Sequence, residues 1–314
     1  VAQESTAATM FENGELDQYQ PTGDYAIKFE KEAEEGKYQY MVTDYPGTIG
    51  LRFNFINGGT SGLMSNVKIR KAISYSIDRE EMIDAVYGRY NPAYSYVAPA
   101  ITFNGSSYRD QVGEIMEDEY NEYVGDPDKI VALFQEGLDE LGVETPIEDI
   151  TLTYLTSVST TEVQADREYI QQSLEETLGL TVELSVAGDT SLFIADRNEG
   201  NYDFFLGGWY SDYNDPLDFL YTNYTDAYGM SFGGYSNTDY DALADQLVGE
   251  TDMDKRLDIY KQMEQILLLD DCAFAPIYYA TKQVLLQNWV KDYRTSSFGA
   301  SAEFIWTYID GKNQ

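Results

Sequence analysis

The most constraining pattern in this chain is one strand-like run, one long helix-like run and a second strand-like run, joined by short links. Residues 150–155 alternate apolar and polar. Residues 161–178 carry a helical pattern that Gly179 ends. Residues 181–186 alternate again, with Val182, Leu184 and Val186 on one side. A strand, a helix and a strand at this spacing form a βαβ unit, which requires parallel pairing and a right-handed crossover. The fold class expected is therefore α/β, with mixed sheets and flanking helices.

Other segments fit that class. Residues 38–43 and 48–55 read as two strands, and 58–62 (Gly-Gly-Thr-Ser-Gly) as a flexible loop. Residues 66–87 show the clearest helical spacing, with Val67, Ile69, Ala72, Ile73 and Ile77 on one face. The run Asp78-Arg79-Glu80-Glu81 has capping-box spacing, so a second helix restarts at Asp78. Residues 89–99 read as irregular, 289–292 as a connection and 303–309 as a terminal strand.

The run 202–206 reads as a further strand, followed by the loop Gly207-Gly208-Trp209-Tyr210-Ser211-Asp212-Tyr213-Asn214-Asp215-Pro216. Ligands of open α/β sheets gather beyond the carboxyl ends of strands. Two glycines bare the main chain there, and an indole and a carboxylate follow three residues apart. Asp215 suits a helix N-cap, Pro216 the first helical position, and Asp218 the dipole-favoured first turn. Asp212 has no such local explanation. Trp209 reads either as core or as a flat surface for a ligand. Arg197, near the entry to the strand, reads on sequence as a surface partner for Asp196 or Glu199.

Composition narrows the chemistry. Among 314 residues, 55 acidic side chains stand against 20 basic ones, a formal charge of -35. Such a surface repels nucleic acid and anionic lipid, so neither is an expected partner. Hydrophobic residues at 43% are enough for a packed core despite that charge. There is no histidine, which removes the usual general base and the commonest transition-metal ligand. The single cysteine, Cys272, lies in an apolar run and reads as a small buried hydrophobe. Ser65 and Lys68 match an S-x-x-K pattern, but no K-T-G accompanies them. Residues 237–248 begin like a calcium loop yet lack its glycine and final glutamate. No run approaches the ~18 apolar residues of a membrane span. No metal, cofactor or catalytic residue is expected, and the protein is not expected to be an enzyme.

Four stretches resemble the oligopeptide-binding protein family, the peptide-type extracellular solute receptors of ABC importers. They are Asn66-Val67-Lys68-Ile69-Arg70-Lys71-Ala72-Ile73-Ser74-Tyr75-Ser76-Ile77-Asp78-Arg79; Pro92-Ala93-Tyr94-Ser95-Tyr96-Val97-Ala98-Pro99; the run from Tyr202 through Pro216; and the run from Arg256 through Tyr279. They fall in the family's order across most of the chain.

The resemblance implies a two-lobe architecture like that of periplasmic binding proteins, closing by a hinge, with the first lobe truncated here. Residues 1–91 would be the later part of lobe I. Residues 92–289 would be lobe II, carrying the Gly-Gly-Trp loop, and residues 290–314 would return to lobe I. The hinge strands would lie at 89–96 and 289–292. It implies a monomeric substrate-binding component that delivers oligopeptide to a membrane permease. Localisation would be extracellular or periplasmic, with a lipid anchor on a segment absent from this chain.

Carried over by position, Asp212 would pair with the peptide ammonium, and Gly208 and Tyr210 would bond its main chain. Trp209 stands with them. Tyr96 would be a cleft tyrosine, Arg197 a basic group toward the carboxylate end, and Asn54 a further cleft residue. Leu206 departs from the pattern, standing where such peptide binders can have an arginine. The same fold binding an oligosaccharide or another small solute is the alternative. A hydrolase of unrecognised type is the remote one, and it lacks a nucleophile with an activating base.

Overall fold

The computed structural model describes residues 3–157, 161–225, 232–299 and 302–312. Among them, seven strands form the main sheet: β1 (Gln18–Tyr19), β2 (Gln39–Phe53), β3 (Asn91–Pro92), β4 (Thr151–Ser157), β5 (Thr181–Ala187), β6 (Phe204–Tyr210) and β7 (Phe274–Leu286). Their order is β1-β7-β2-β6-β4-β5, with β3 also on β7. Pairs β4–β5 and β4–β6 are parallel, and the others antiparallel. The α/β class with a mixed sheet and flanking helices is as the sequence implies. The βαβ unit is present: β4 and β5 pair in parallel across the helix Thr161–Leu178.

Helix starts follow local chemistry. The Asn66 side chain accepts the Lys68 and Ile69 amides at the head of α1 (Val67–Tyr75), and Asp78 accepts the Glu81 amide to restart a helix. These are ordinary N-caps, and Ser65 only donates to the Gly62 carbonyl. Asn237 likewise caps the helix Thr238–Gln246, so the calcium-like start is a cap.

Several expectations are corrected. The two runs at 38–43 and 48–55 form one strand, β2, because β7 pairs along nearly all of it, with a register shift between Asp44 and Thr48. The run 202–206 was expected to end the strand, yet β6 extends from Phe204 to Tyr210 and holds both glycines and Trp209 within it. Glycine weakens a strand in general, but here it permits close approach. A Cβ on Gly208 would lie 1.9 Å from the Thr48 carbonyl oxygen, and one on Gly50 would lie 2.1 Å from that of Ala275. The 58–62 loop is fastened rather than loose: buried Asp203 accepts from the Ser61 amide and hydroxyl and from the Thr153 amide. Only Tyr308–Ile309 of the expected terminal strand is regular, paired with Val290–Lys291 in the segment read as a connection. A helix at Asp24–Glu34 had not been read from the sequence.

Packing does not change at residue 91 or 289. Alternation along β2 sends Ile49, Leu51 and Phe53 into one core with Ile69, Phe134 and Leu152. That core therefore joins residues on both sides of 91. Across the sheet, Arg52 lies over the rings of Tyr96 and Phe274, beside the core of Phe219, Tyr240 and Tyr260. Two smaller clusters hold Phe11, Phe29, Tyr38 and Leu285, and Val284, Leu286, Val290 and Tyr293. The change of core thus falls within β2 and β7.

The second core surrounds one buried acid, Glu264. It accepts from the Tyr96 and Val97 amides, the Tyr108 hydroxyl and the Arg109 guanidinium. Removing one member of such a pair leaves the other buried and uncompensated. Glu264→Gln is therefore expected to lower unfolding free energy by about 3–5 kcal/mol, read from urea denaturation. An unchanged midpoint would show that Arg109 finds another partner.

Candidate functional site

The site is the carboxyl-terminal half of β6 with the loop after it. One edge of β6 pairs with β2 from Phe204–Phe53 to Tyr210–Gly47. The other edge pairs with β4 only at Phe204 and Phe205. From Leu206 to Tyr210 that second edge has no strand partner among the described residues.

Which main-chain groups face it follows from the alternation of antiparallel pairing. The Ser211 amide donates to the Pro46 carbonyl, and the Asn54 amide to the Asp203 carbonyl. Both bonds lie on odd-numbered residues of the β6 segment and point toward β2. The intervening even residues, Gly208 and Tyr210, therefore aim their N–H and C=O at the open edge. At about 3.3 Å per residue these two positions stand roughly 7 Å apart, the repeat of alternate residues in an extended chain.

β4 diverges beyond Leu155, and a cavity of about 270 Å³ lies where it leaves β6. Thr156, Ser157, Leu206 and Gly207 line it, and Ile49, Phe193 and Tyr278 close it. Asp166 and Tyr154 reach it as well. Burial first, and then the charge of Asp166, pushes the Tyr154 phenol well above its ordinary value, while Arg167 acts in the opposite sense.

Asp218 orders the loop. This buried carboxylate accepts the Trp209 indole N–H at 2.9 Å, the Ser211 hydroxyl at 2.7 Å and the Asp212 amide at 2.8 Å, all on Oδ2. Asp215 caps α2 (Pro216–Leu220) through the Leu217 amide and also accepts the Tyr260 hydroxyl. With those two acids turned inward, the Asp212 side chain is left exposed at the end of the open edge. The Tyr210 ring covers Gly47, where a Cβ would come within 2.3 Å of it.

The expected site residues separate into two groups. Gly208, Trp209, Tyr210 and Asp212 come together on this strand and loop. Tyr96 and Asn54 do not form part of an accessible surface. Tyr96 is fully buried, its hydroxyl bonded with Arg52 and Thr222. Asn54 is fully buried and donates to the Gly200 and Tyr202 carbonyls. Both shape the wall from behind. Arg197 is half-buried in the last turn of the helix Thr190–Glu199. Burial raises the Tyr202 phenol to about 12, and the Arg197 charge moderates that rise. Sequence reasoning missed the organising part of Asp218, for which the Asp-Pro-x-Asp spacing was the available signal, and it missed Asp166 altogether. Among the described residues no cluster of acids or cysteine could hold a metal ion, and no helix is long and apolar enough to cross a membrane. The arrangement offers a main-chain edge at Leu206 to Gly208 that no described strand pairs, a carboxylate beyond it and a cavity beside it, which is the equipment for holding an extended ligand.

Known proteins resemble this chain in sequence and fold. Residues 1–231 match the family described as bacterial extracellular solute-binding proteins, family 5 Middle. The dipeptide-binding protein DppE of Bacillus subtilis is 28% identical over 92% of this chain and 49% of its own length. The oligopeptide-binding protein OppA of the same organism is 30% identical over 73% of this chain and 39% of its own length. Among solved structures, Listeria monocytogenes OppA bound to peptide matches with a TM-score of 0.75 at 28% identity, covering 98% of this chain and 57% of that one. The substrate-binding domain of an oligopeptide ABC transporter from Bacillus anthracis shares the fold with a TM-score of 0.78 at 23% identity, covering 98% of this chain and 57% of its own. The chain spans about half the length of the curated relatives it matches. With its fold and 231 matched residues, the chain belongs to family 5 of the bacterial extracellular solute-binding proteins.

Proposed function

We propose that this chain supplies one wall of the ligand cleft in a peptide receptor of an ABC importer, working outside the cytoplasmic membrane and delivering its ligand to a permease. A lipid anchor on a segment outside this chain would hold the receptor at the cell surface. The observation that carries the reading is the open edge of β6, with Gly208 and Tyr210 facing outward and Asp212 exposed at its end. An extended peptide adds to such an edge through its main chain. This explains binding that ignores most side chains, because the main chain is common to every peptide. The ammonium finds its counter-charge in Asp212, which offsets the cost of its desolvation when the cleft closes. A neutral oligosaccharide has no group that needs that carboxylate.

Lobe movement fits β2 and β7 better than the segments at 89–96 and 289–292. Both long strands pass from the small clusters at their outer ends into the two large cores, and the register shift between Asp44 and Thr48 lies at that passage. Ligand contacts made with both lobes would favour the closed state by their difference in affinity between states.

Two acids of the loop are expected to behave differently in calorimetry with the protein at its full natural length. Asp212→Asn should weaken free-amine peptides about tenfold to a hundredfold, the worth of a charge-assisted bond, and leave N-acetylated peptides nearly unchanged. Equal affinity of the unaltered protein for both peptide forms would overturn the pairing. Asp218→Ala strands three donors, so it should weaken free and acetylated peptides alike, by about tenfold, and lower stability by about 1–3 kcal/mol. A selective loss of free-amine binding in that variant would assign the ammonium to Asp218 instead.

A further inference from the structure

The loop after β6 is fastened at its near end by Asp218, and its far end has a fastening of its own. Thr102–Phe103 and Ser106–Ser107 pair as a hairpin, with Asn104 at φ 49° and Gly105 at φ 88° in its turn. Asn-Gly with both residues left-handed is the turn whose twist suits a two-residue hairpin, so its shape is set locally. Asn214 reaches this hairpin with both ends of one amide. Its Oδ1 accepts the Thr102 amide at 2.8 Å, and its Nδ2 donates to the Thr102 Oγ1 at 2.7 Å. Asp215 is tied to the same hairpin through a ring: it accepts the Tyr260 hydroxyl at 2.9 Å, and Phe103 packs edge-on against Tyr260 with centroids 5.5 Å apart. The hairpin leads into the helix Tyr108–Val112, whose Tyr108 and Arg109 bond the buried Glu264.

We propose that Asn214 is a positioning residue for ligand binding: by clamping the far end of the loop to the 102–107 hairpin, it holds the Asp212 carboxylate where the peptide ammonium arrives. The assignment rests on the peptide-binding reading above. Asp212 and Tyr213 lie between two anchors, the Asp212 amide on Asp218 and the Asn214 side chain on Thr102. The Asp215 amide closes that stretch by donating to the Tyr213 carbonyl at 3.0 Å. A planar amide bonded at both its acceptor and its donor is fixed in orientation as well as in distance. One of its partners is main chain, which has no side-chain torsion to turn it away. Holding a charged group in place before the ligand arrives removes the cost of ordering it on binding. The reach of this clamp is limited. Pairing with β2 holds Gly208 and Tyr210, and the Asp218 carboxylate holds the Trp209 indole. What the loss of Asn214 can misplace is therefore the Asp212 end of the site, which meets only the ammonium of the ligand.

The test is calorimetry on the protein at its full natural length, with tetra-alanine and N-acetyl-tetra-alanine as probes. Asn214→Leu keeps the shape of the side chain and loses both bonds. It should weaken tetra-alanine about threefold to tenfold, the worth of one or two neutral hydrogen bonds, and leave the acetylated peptide nearly unchanged. Thr102→Val loses only the hydroxyl and should show a smaller loss with the same selectivity. Added to Asn214→Leu it should cost nothing further, because the bond it removes is already gone. In an Asp212→Asn background, Asn214→Leu should no longer affect tetra-alanine, whereas a general softening of the protein would still do so. Equal weakening of both peptides by Asn214→Leu, or no change in either, overturns the positioning role and leaves the peptide reading standing. If the unaltered protein binds tetra-alanine no better than its acetylated form, the Asp212 pairing fails and takes the positioning role with it. If it binds neither, the peptide reading itself fails. Should Asn214→Leu not fold, Thr102→Val carries the same comparison between the two peptides.

Discussion

The double pairing of β2 is the constraint on which the other features depend. From Thr48 to Arg52 the strand is bonded to β7 on one edge and β6 on the other. Its pleat then separates the two large cores, with Ile49, Leu51 and Phe53 entering one and Arg52 lying over the Tyr96 and Phe274 rings of the other. The three strands sit so close that Gly50 and Gly208 tolerate no side chain. This closeness fixes the register of β6 without help from side chains at its glycines, and the register decides which main-chain groups of β6 remain to meet a ligand. A one-residue slip would turn Gly208 and Tyr210 toward β2 and Trp209 outward.

The loop after β6 shows how three acids within seven residues acquire separate tasks. Asp218 takes three donors on one oxygen, Asp215 caps a helix and meets Tyr260, and Asp212 stays exposed. The arrangement is self-consistent. Once Asp218 holds the Asp212 amide, that N–H is satisfied, and the Asp212 side chain is exposed. Order in the loop and availability of its outermost carboxylate therefore have one cause.

Local chemistry was legible from the sequence, and long-range pairing was not. The βαβ unit and the caps at Asp78 and Asp215 depend on residues a few positions apart, and the structure has them. The extent of β6 depends on β2, more than 150 positions earlier in the chain. Glycines 207 and 208 therefore read as loop, because the close approach that requires them is invisible in the local pattern. Gly208, Trp209, Tyr210 and Asp212 fall together in the structure because they share a strand and its loop. Tyr96 and Asn54 lie behind the wall because their polar atoms already have partners in the core. Asp166 escaped notice because a helix facing a cavity and a helix facing solvent can have the same sequence pattern.

An unpaired strand edge is ordinarily a liability, since it invites pairing with other chains. Here the exposed run is short, from Leu206 to Tyr210, and it is recessed in a slot that β4 leaves by diverging after Leu155. A partner strand belonging to another folded protein would have to enter that slot alongside β4. A short peptide meets no such obstacle. On the proposed reading, the geometry that protects the edge from aggregation would also favour a narrow, extended ligand.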